Sequence, residues 1–199
     1  FYFNYTINQD LRDKKFRTES GYQTFFSQEV PLISDNSEFA NSFEISKYKK
    51  LSTRSDMVGK ISFFAKTITG LSDDVRISKR LNIPSTKLRG FEKGRVGPVD
   101  NNDYVGGNHV SALNLSATLP NILEGLDNLD VGVFFDAANI WGVDYNSSLD
   151  DKSTIRTSTG IAFNLITPIG PLSFSFANAL TQASTDKTET FRFRIGTQF

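Results

Sequence analysis

The sequence predicts an all-β fold: nine strands of an antiparallel up-and-down transmembrane β-barrel, interrupted by one long loop. Three observations predict it. Apolar and polar residues alternate along many segments, several segments run for nine to thirteen residues, and the connections alternate between short and long. Period-two alternation sends each set of side chains to its own face of a sheet. A soluble β-sandwich would alternate as well. Strands of this length, however, exceed the usual run of about five or six residues and match a tilted crossing of a bilayer. Short turns at one end and longer loops at the other are the habit of outer-membrane barrels.

The first strand, 1–9, sets Phe1, Phe3, Tyr5 and Ile7 against Asn4, Thr6 and Asn8, and closes on a polar turn holding Asp10, Arg12, Asp13, Lys14 and Lys15. The second, about 21–31, ends at Pro31 and the polar stretch 34–37. Strands 39–49 and 56–68 are joined by the short link Leu51 to Ser55. The Gly-containing segment 69–107 follows. Loops this long in compact structures are functional or disordered. Leu81, Ile83, Leu88 and Phe91 give this one the means to pack. Strands 108–119, 130–141, 153–167, 171–181 and 189–199 complete the set; 120–129 is a longish turn on the short side. The last strands alternate most clearly. Phe163, Phe174, Phe176, Phe193 and Ile195 are expected to face lipid, with Asn164, Ser173, Ser175, Arg192 and Arg194 facing the lumen. Arginine facing lipid at mid-depth costs roughly 2–4 kcal/mol, so the opposite register is hard to tolerate.

Composition removes most other classes. Lys+Arg and Asp+Glu both number 22, so no charge bias argues for nucleic acid. Cysteine is absent, which removes disulfides, thiol nucleophiles and Cys-type zinc sites. The single His109 cannot form a histidine cluster, and no metal or other cofactor is expected. Asp73-Asp74 and Asp150-Asp151 lie in polar loop stretches and read as solvated charges rather than catalytic pairs. No nucleophile triad or phosphate-binding glycine loop appears, so the chain is not expected to be an enzyme. No run approaches the roughly eighteen apolar residues of a membrane helix, which leaves a barrel open because barrel strands alternate. The chain begins at Phe1, already inside an alternating pattern and without an initiator Met, and is read as a piece of a longer protein.

The long segment carries Leu88-Arg89-Gly90-Phe91, then Val96-Gly97-Pro98, then Val105-Gly106-Gly107-Asn108. Phe134-Phe135-Asp136, the turn Pro168-Ile169-Gly170-Pro171-Leu172 and a closing Phe199 follow in order. In these motifs the whole chain, 1–199, resembles the BamA-like outer-membrane assembly factors. That resemblance implies the C-terminal part of a barrel of roughly sixteen strands, bacterial barrels having even strand numbers. Further barrel strands and periplasmic domains would precede it. It implies residence in the bacterial outer membrane and a function in folding and inserting other β-barrel proteins. The implied partners are unfolded outer-membrane protein clients, accessory assembly lipoproteins and the bilayer. The alternative is a protein-translocating pore of the two-partner secretion type or a porin-like channel, since a long inward loop also plugs pores.

Gly90 allows a tight bend and close approach to a wall, and Arg89 offers a planar fork that suits a carboxylate. Asp136 is in phase with Gly132 and Phe134 and opposite to Val131, Val133 and Phe135. If the Val131 set faces lipid, Asp136 faces the lumen. The resemblance places the loop arginine against inward carboxylates, of which Asp136 matches one position. The other aligns with Ser116, which is uncharged and offers no second carboxylate. At the C-terminus, Phe191, Phe193, Ile195 and Phe199 resemble the signal that barrels present to the assembly machinery. Gly196 matches a glycine that lets the last strand kink away from the first, as glycine weakens a strand and permits a bend.

Overall fold

Alternation along the chain becomes a ladder of hairpins. The structure is a computed structural model that describes residues 1–32, 37–52, 54, 56–120, 128–146, 149, 154–167 and 170–196. The strands are β1 (Tyr2–Asp10), β2 (Gly21–Pro31), β3 (Glu38–Lys50) and β4 (Val58–Gly70). The long loop follows, with one 3-10 turn (Ile77–Lys79) and a small ribbon of β5 (Val99–Asp100) and β6 (Asp103–Tyr104). Asn101 and Asn102 turn that ribbon with φ of 47° and 71°, the left-handed geometry that suits a two-residue hairpin. Then come β7 (His109–Pro120), β8 (Leu129–Trp141), β9 (Arg156–Thr167), β10 (Gly170–Thr181) and β11 (Phe191–Ile195). Nine strands form one sheet in the order β1-β2-β3-β4-β7-β8-β9-β10-β11. Each pairs antiparallel with the next in the sheet. This is the up-and-down barrel wall.

Three strands depart from the sequence expectation by two residues or more. Strand β4 begins at Val58 rather than 56, because Asp56 takes a positive φ of 49° and the Leu51 N–H donates to the Met57 carbonyl at 2.7 Å. It also runs on to Gly70, where the chain folds back so tightly that a Cβ would lie 1.9 Å from the Asp73 carbonyl oxygen. Strand β9 begins at Arg156 rather than 153, with residues 150–153 outside the described residues. The last strand, expected over 189–199, keeps its ladder from Phe191 to Ile195 among the described residues, and 197–199 lie outside them. Before it, Thr188 bridges to Phe91 and the Glu189 N–H donates to the Gly90 carbonyl, so these residues serve the loop. After it, Gly196 bends the strand at φ 128° while its N–H still donates to the Pro171 carbonyl at 3.2 Å.

The two faces differ in chemistry. Ile61, Phe63, Leu113, Leu115, Val133, Phe135, Ile161, Phe176, Phe191, Phe193 and Ile195 form a continuous exposed apolar band on one face. In water so large a patch would be an association site; in a barrel it is the lipid-facing wall. Phe163, Phe174 and Phe193 are mutually opposed within it, as are Leu165, Leu172 and Ile195. On the other face Ser173 opposes Asn164 and Arg194, and Ser175 opposes Arg192.

The inner face holds the core, because the loop folds onto it. Val75, Leu81, Ile83, Leu88, Phe91 and Val96 of the loop are buried with Phe64, Ile68, Val110, Ala112, Ala138 and Ile140 of β4, β7 and β8. The sheet is rolled around this filling. At the short-turn end, Arg17 between β1 and β2 reaches Asp130 at the start of β8, its Nη2 2.8 Å from Oδ1. Those residues are separated in the sheet by several strands, so only curvature brings them together.

Candidate functional site

The loop descends as a ladder of cations, each meeting an acceptor fixed by the wall or by a neighbouring loop. Near the rim Arg76 binds Glu38 of β3 through Nε and Nη2 at 2.7 and 2.8 Å. The same carboxylate accepts the Tyr2 hydroxyl at 2.9 Å. Arg80 pairs with Asp144, just beyond β8, and lies over the Tyr145 ring at 4.8 Å. Lys87 pairs with Glu44 of β3. Arg89 reaches furthest, to Asp136 in the middle of β8.

Asp136 has no exposed surface. Burial of a carboxylate demands that its oxygens be filled. Here they accept Arg89 Nε at 2.8 Å, Arg89 Nη2 at 2.7 Å and the Arg89 backbone N–H at 3.1 Å. Asn114 of β7, directly opposite in the ladder, donates its Nδ2 at 2.9 Å. The guanidinium therefore makes the two-pronged contact that only arginine can make. Its carbon also sits 3.4 Å from the centroid of the Phe134 ring, whose face attracts a cation.

The backbone around Arg89 is fixed as firmly as its side chain. Ser158 of β9, opposite Asp136, donates its hydroxyl to the Arg89 carbonyl at 2.5 Å. Asn114 also donates to the Lys87 carbonyl at 2.8 Å. Gly90 has φ 87°, and a Cβ there would lie 3.2 Å from the Cβ atoms of both Ala177 and Ser158. Glycine is needed twice over, for conformation and for clearance. Phe91 is 1% exposed, and its carbonyl accepts a bond from Arg192 of β11. Arg192 also donates to the Ser85 carbonyl at 2.7 Å and pairs with Glu189 at 2.9 Å. The last strand is thereby tied to the loop.

The expected residues fall as follows. Leu88, Arg89, Gly90, Phe91 and Asp136 are brought together at one point on the inner face. Phe191, Phe193 and Ile195 share the outward face of β11 and are not near that point. Gly196 ends β11. Phe199 lies outside the described residues, as do Pro168 and Ile169 of the expected turn. Ser116 stands opposite Phe134, and the second side chain on Asp136 is Asn114 instead.

Several contributors escaped the sequence. Asn114 and Ser158 had the right phase, but their alignment with Asp136 depends on hairpin register. Gly160 makes room for Phe134: a Cβ there would lie 2.8 Å from Phe134 Cζ and 2.0 Å from the Phe176 carbonyl oxygen. A second buried pair, Arg156 of β9 with Asp186 of the β10–β11 loop, closes at 2.9 Å with side chains 3% and 0% exposed. Asp186 also accepts the backbone N–H groups of Gly97 and Ala183 at 3.2 and 2.6 Å. It pins the long loop to its neighbour. At the rim, burial pushes the Asp144 carboxyl up, but bonds from the Val75 N–H, Asn108 and Arg80 outweigh that and hold it below the ordinary carboxylate value. Among the described residues no group of His, Asp and Glu side chains is placed to hold a metal ion.

The comparisons agree with this architecture. A family model, the Omp85 superfamily domain, matches residues 1–199. Outer membrane protein assembly factor BamA of Neisseria meningitidis serogroup B is 30% identical over 141 residues, 56% of this chain and 17% of that protein. BamA of Neorickettsia risticii is 25% identical over 201 residues, 98% of this chain and 27% of that protein. The chain thus spans about a quarter or less of the length of these curated relatives. The crystal structure of BamA from Haemophilus ducreyi lacking POTRA domains 1-3 is similar with a TM-score of 0.86 at 25% identity. That likeness covers 97% of this chain and 41% of the other.

Proposed function

The chain belongs to the Omp85 superfamily, and we propose that it is the C-terminal barrel wall of an assembly factor that folds and inserts β-barrel proteins into the outer membrane. It resides in the bacterial outer membrane. The observation that carries the reading is the loop seated deep on the inner face through Arg89 and Asp136, beside a last strand tied to that loop by Arg192.

The mechanism is physical rather than covalent, and it requires no cofactor. Among the described residues, strand β11 pairs with β10 on one side through five residues. An opened seam between β11 and the first strand of the full barrel presents the N–H and C=O groups of β11's other edge, which template an incoming strand by main-chain hydrogen bonds. Gly196 limits the ladder that a competing strand could form with this edge, since a positive φ breaks the extended run. The seated loop keeps the inner face filled, so the wall holds its curvature while the seam opens. A narrowed apolar belt at the seam thins the bilayer locally and lowers the barrier to insertion. The remaining barrel strands and the periplasmic domains that receive clients belong to the rest of a longer protein. Unfolded outer-membrane proteins are the clients, and accessory lipoproteins the assembly partners.

The test uses the full-length protein in lipid vesicles presented with an unfolded barrel client. The reading expects folded client to accumulate faster than in protein-free vesicles, and more slowly with Arg89→Ala. A stable, selective ion conductance without client folding would instead identify a channel.

A further inference from the structure

The outward face carries a recess that the assembly mechanism does not use. Across β3, β4, β7 and β8 the outward row reads Lys49, Gly59, Ala117 and Val133 in register. The row above it reads Lys47, Ile61, Leu115 and Phe135. Two small residues in the middle of the lower row leave a groove of about 610 Å³. The Leu51 side chain closes its lower end, lying 2.9 Å from the place a Cβ of Gly59 would occupy.

Depth along the barrel follows from the strand ends. Lys47 and Lys49 lie in the last turn-ward residues of β3, which ends at Lys50 on the side of the short turns. That side of an outer-membrane barrel faces the periplasm. Tyr22, opposite Lys47 in the ladder, sets an aromatic side chain at the same level, the kind of residue that favours the membrane surface. Both lysines are exposed. Neighbouring Lys50 is engaged by Asp56 and Glu19, whereas Lys47 and Lys49 have no ion-pair partner among the described residues. As i and i+2 on one face they stand about 7 Å apart, given a strand rise of roughly 3.4 Å per residue.

We propose that this recess is a site for an anionic glycerophospholipid of the periplasmic leaflet, with one acyl chain in the groove and the headgroup phosphate held between Lys47 and Lys49. The groove supplies apolar contact that annular lipid on a flat wall lacks. The ammonium groups supply the charge, their stems running along the apolar wall toward the headgroups. An ammonium at an anionic membrane surface strengthens association about fivefold, so two select anionic over zwitterionic headgroups clearly.

The full-length protein would be reconstituted in nanodiscs of phosphatidylethanolamine and phosphatidylglycerol, and the lipid it retains after mild detergent extraction identified by native mass spectrometry. The site predicts several-fold enrichment of phosphatidylglycerol over its share in the disc. Lys47→Gln/Lys49→Gln should abolish the enrichment, and Lys47→Arg/Lys49→Arg should keep it. Ala117→Phe should reduce retained lipid of both kinds by filling the groove. Lys14→Gln/Lys15→Gln, in the polar turn after β1, should leave the enrichment intact. Thermal unfolding midpoints of all variants verify folding. Equal retention of the two lipids, or enrichment that survives the glutamine pair, overturns the proposal. So does enrichment lost equally from the turn-lysine variant.

Discussion

Removing the Arg89 side chain should release the centre of the loop, and the loss can be scaled from the contacts. Arg89→Ala takes two charged hydrogen bonds from a carboxylate with no exposed surface, and a cation from the face of Phe134. Breaking one side of a buried ion pair costs about 3–5 kcal/mol. Three features place this case at the low end. The Arg89 side chain retains 21% exposure, and the Asn114 amide and the residue-89 backbone N–H continue to serve Asp136. We expect about 3 kcal/mol, roughly a hundredfold shift toward undocked loop. Asp136→Asn removes the charge and keeps the shape, for about 2 kcal/mol. Because both delete one interaction, the double variant should lose little more than Arg89→Ala alone, giving a coupling of about 2 kcal/mol. Arg89→Lys should fall between, keeping charge without the fork. The assay is hydrogen exchange in the full-length protein at the Leu81 and Gly107 amides, which pair with each other's carbonyls within the loop. A coupling below about 0.5 kcal/mol would refute the reasoning, since independent sites add within that margin.

Three further outcomes follow. Gly90→Ala should loosen the same amides by about 1–2 kcal/mol through left-handed strain, with the crowding against Ala177 and Ser158 adding to it; unchanged exchange would count against the tight seat. Arg156→Gln should free residues 182–190 together with the Gly97 region, because both hang on Asp186, and protease sensitivity should appear in both segments at once. The Asp144 contact sets a pH dependence. Its carboxyl is held below the ordinary value, so the stability it contributes is present above that value and disappears as pH falls through the lowered one. Exchange at the Val75 amide should therefore rise as pH falls below the ordinary carboxylate value, and Asp144→Asn should flatten that rise.

The sequence disclosed faces better than neighbours. Alternation alone separated Phe174 and Phe193 from Ser173 and Arg192, because a strand has only two sides. It also put Asp136 on the inner side. It could not place Asn114 and Ser158 beside Asp136, since that requires register, and register is set by hairpin turns whose geometry no local pattern encodes. Nothing in the sequence around Asp186 marks it, because its burial depends on Arg156 arriving from another strand. The need for glycine at 160 was equally hidden, because Phe134 fills that space from the neighbouring strand. Arg89 and Gly90 stood out because their roles are local: a fork and a bend at adjacent positions.

The central claim, that the β11 edge templates client strands, is tested most directly by site-specific photocrosslinking. A crosslinking residue would replace each of positions 191–195 in turn in the full-length protein, with Phe63 on the middle of the wall as the comparison site, while an unfolded barrel client assembles. The account predicts crosslinks from the β11 positions to a single segment of the client, advancing along it in the residue order of a paired strand, and none from position 63. Crosslinks spread over the client without register, or equally frequent from position 63, would contradict it.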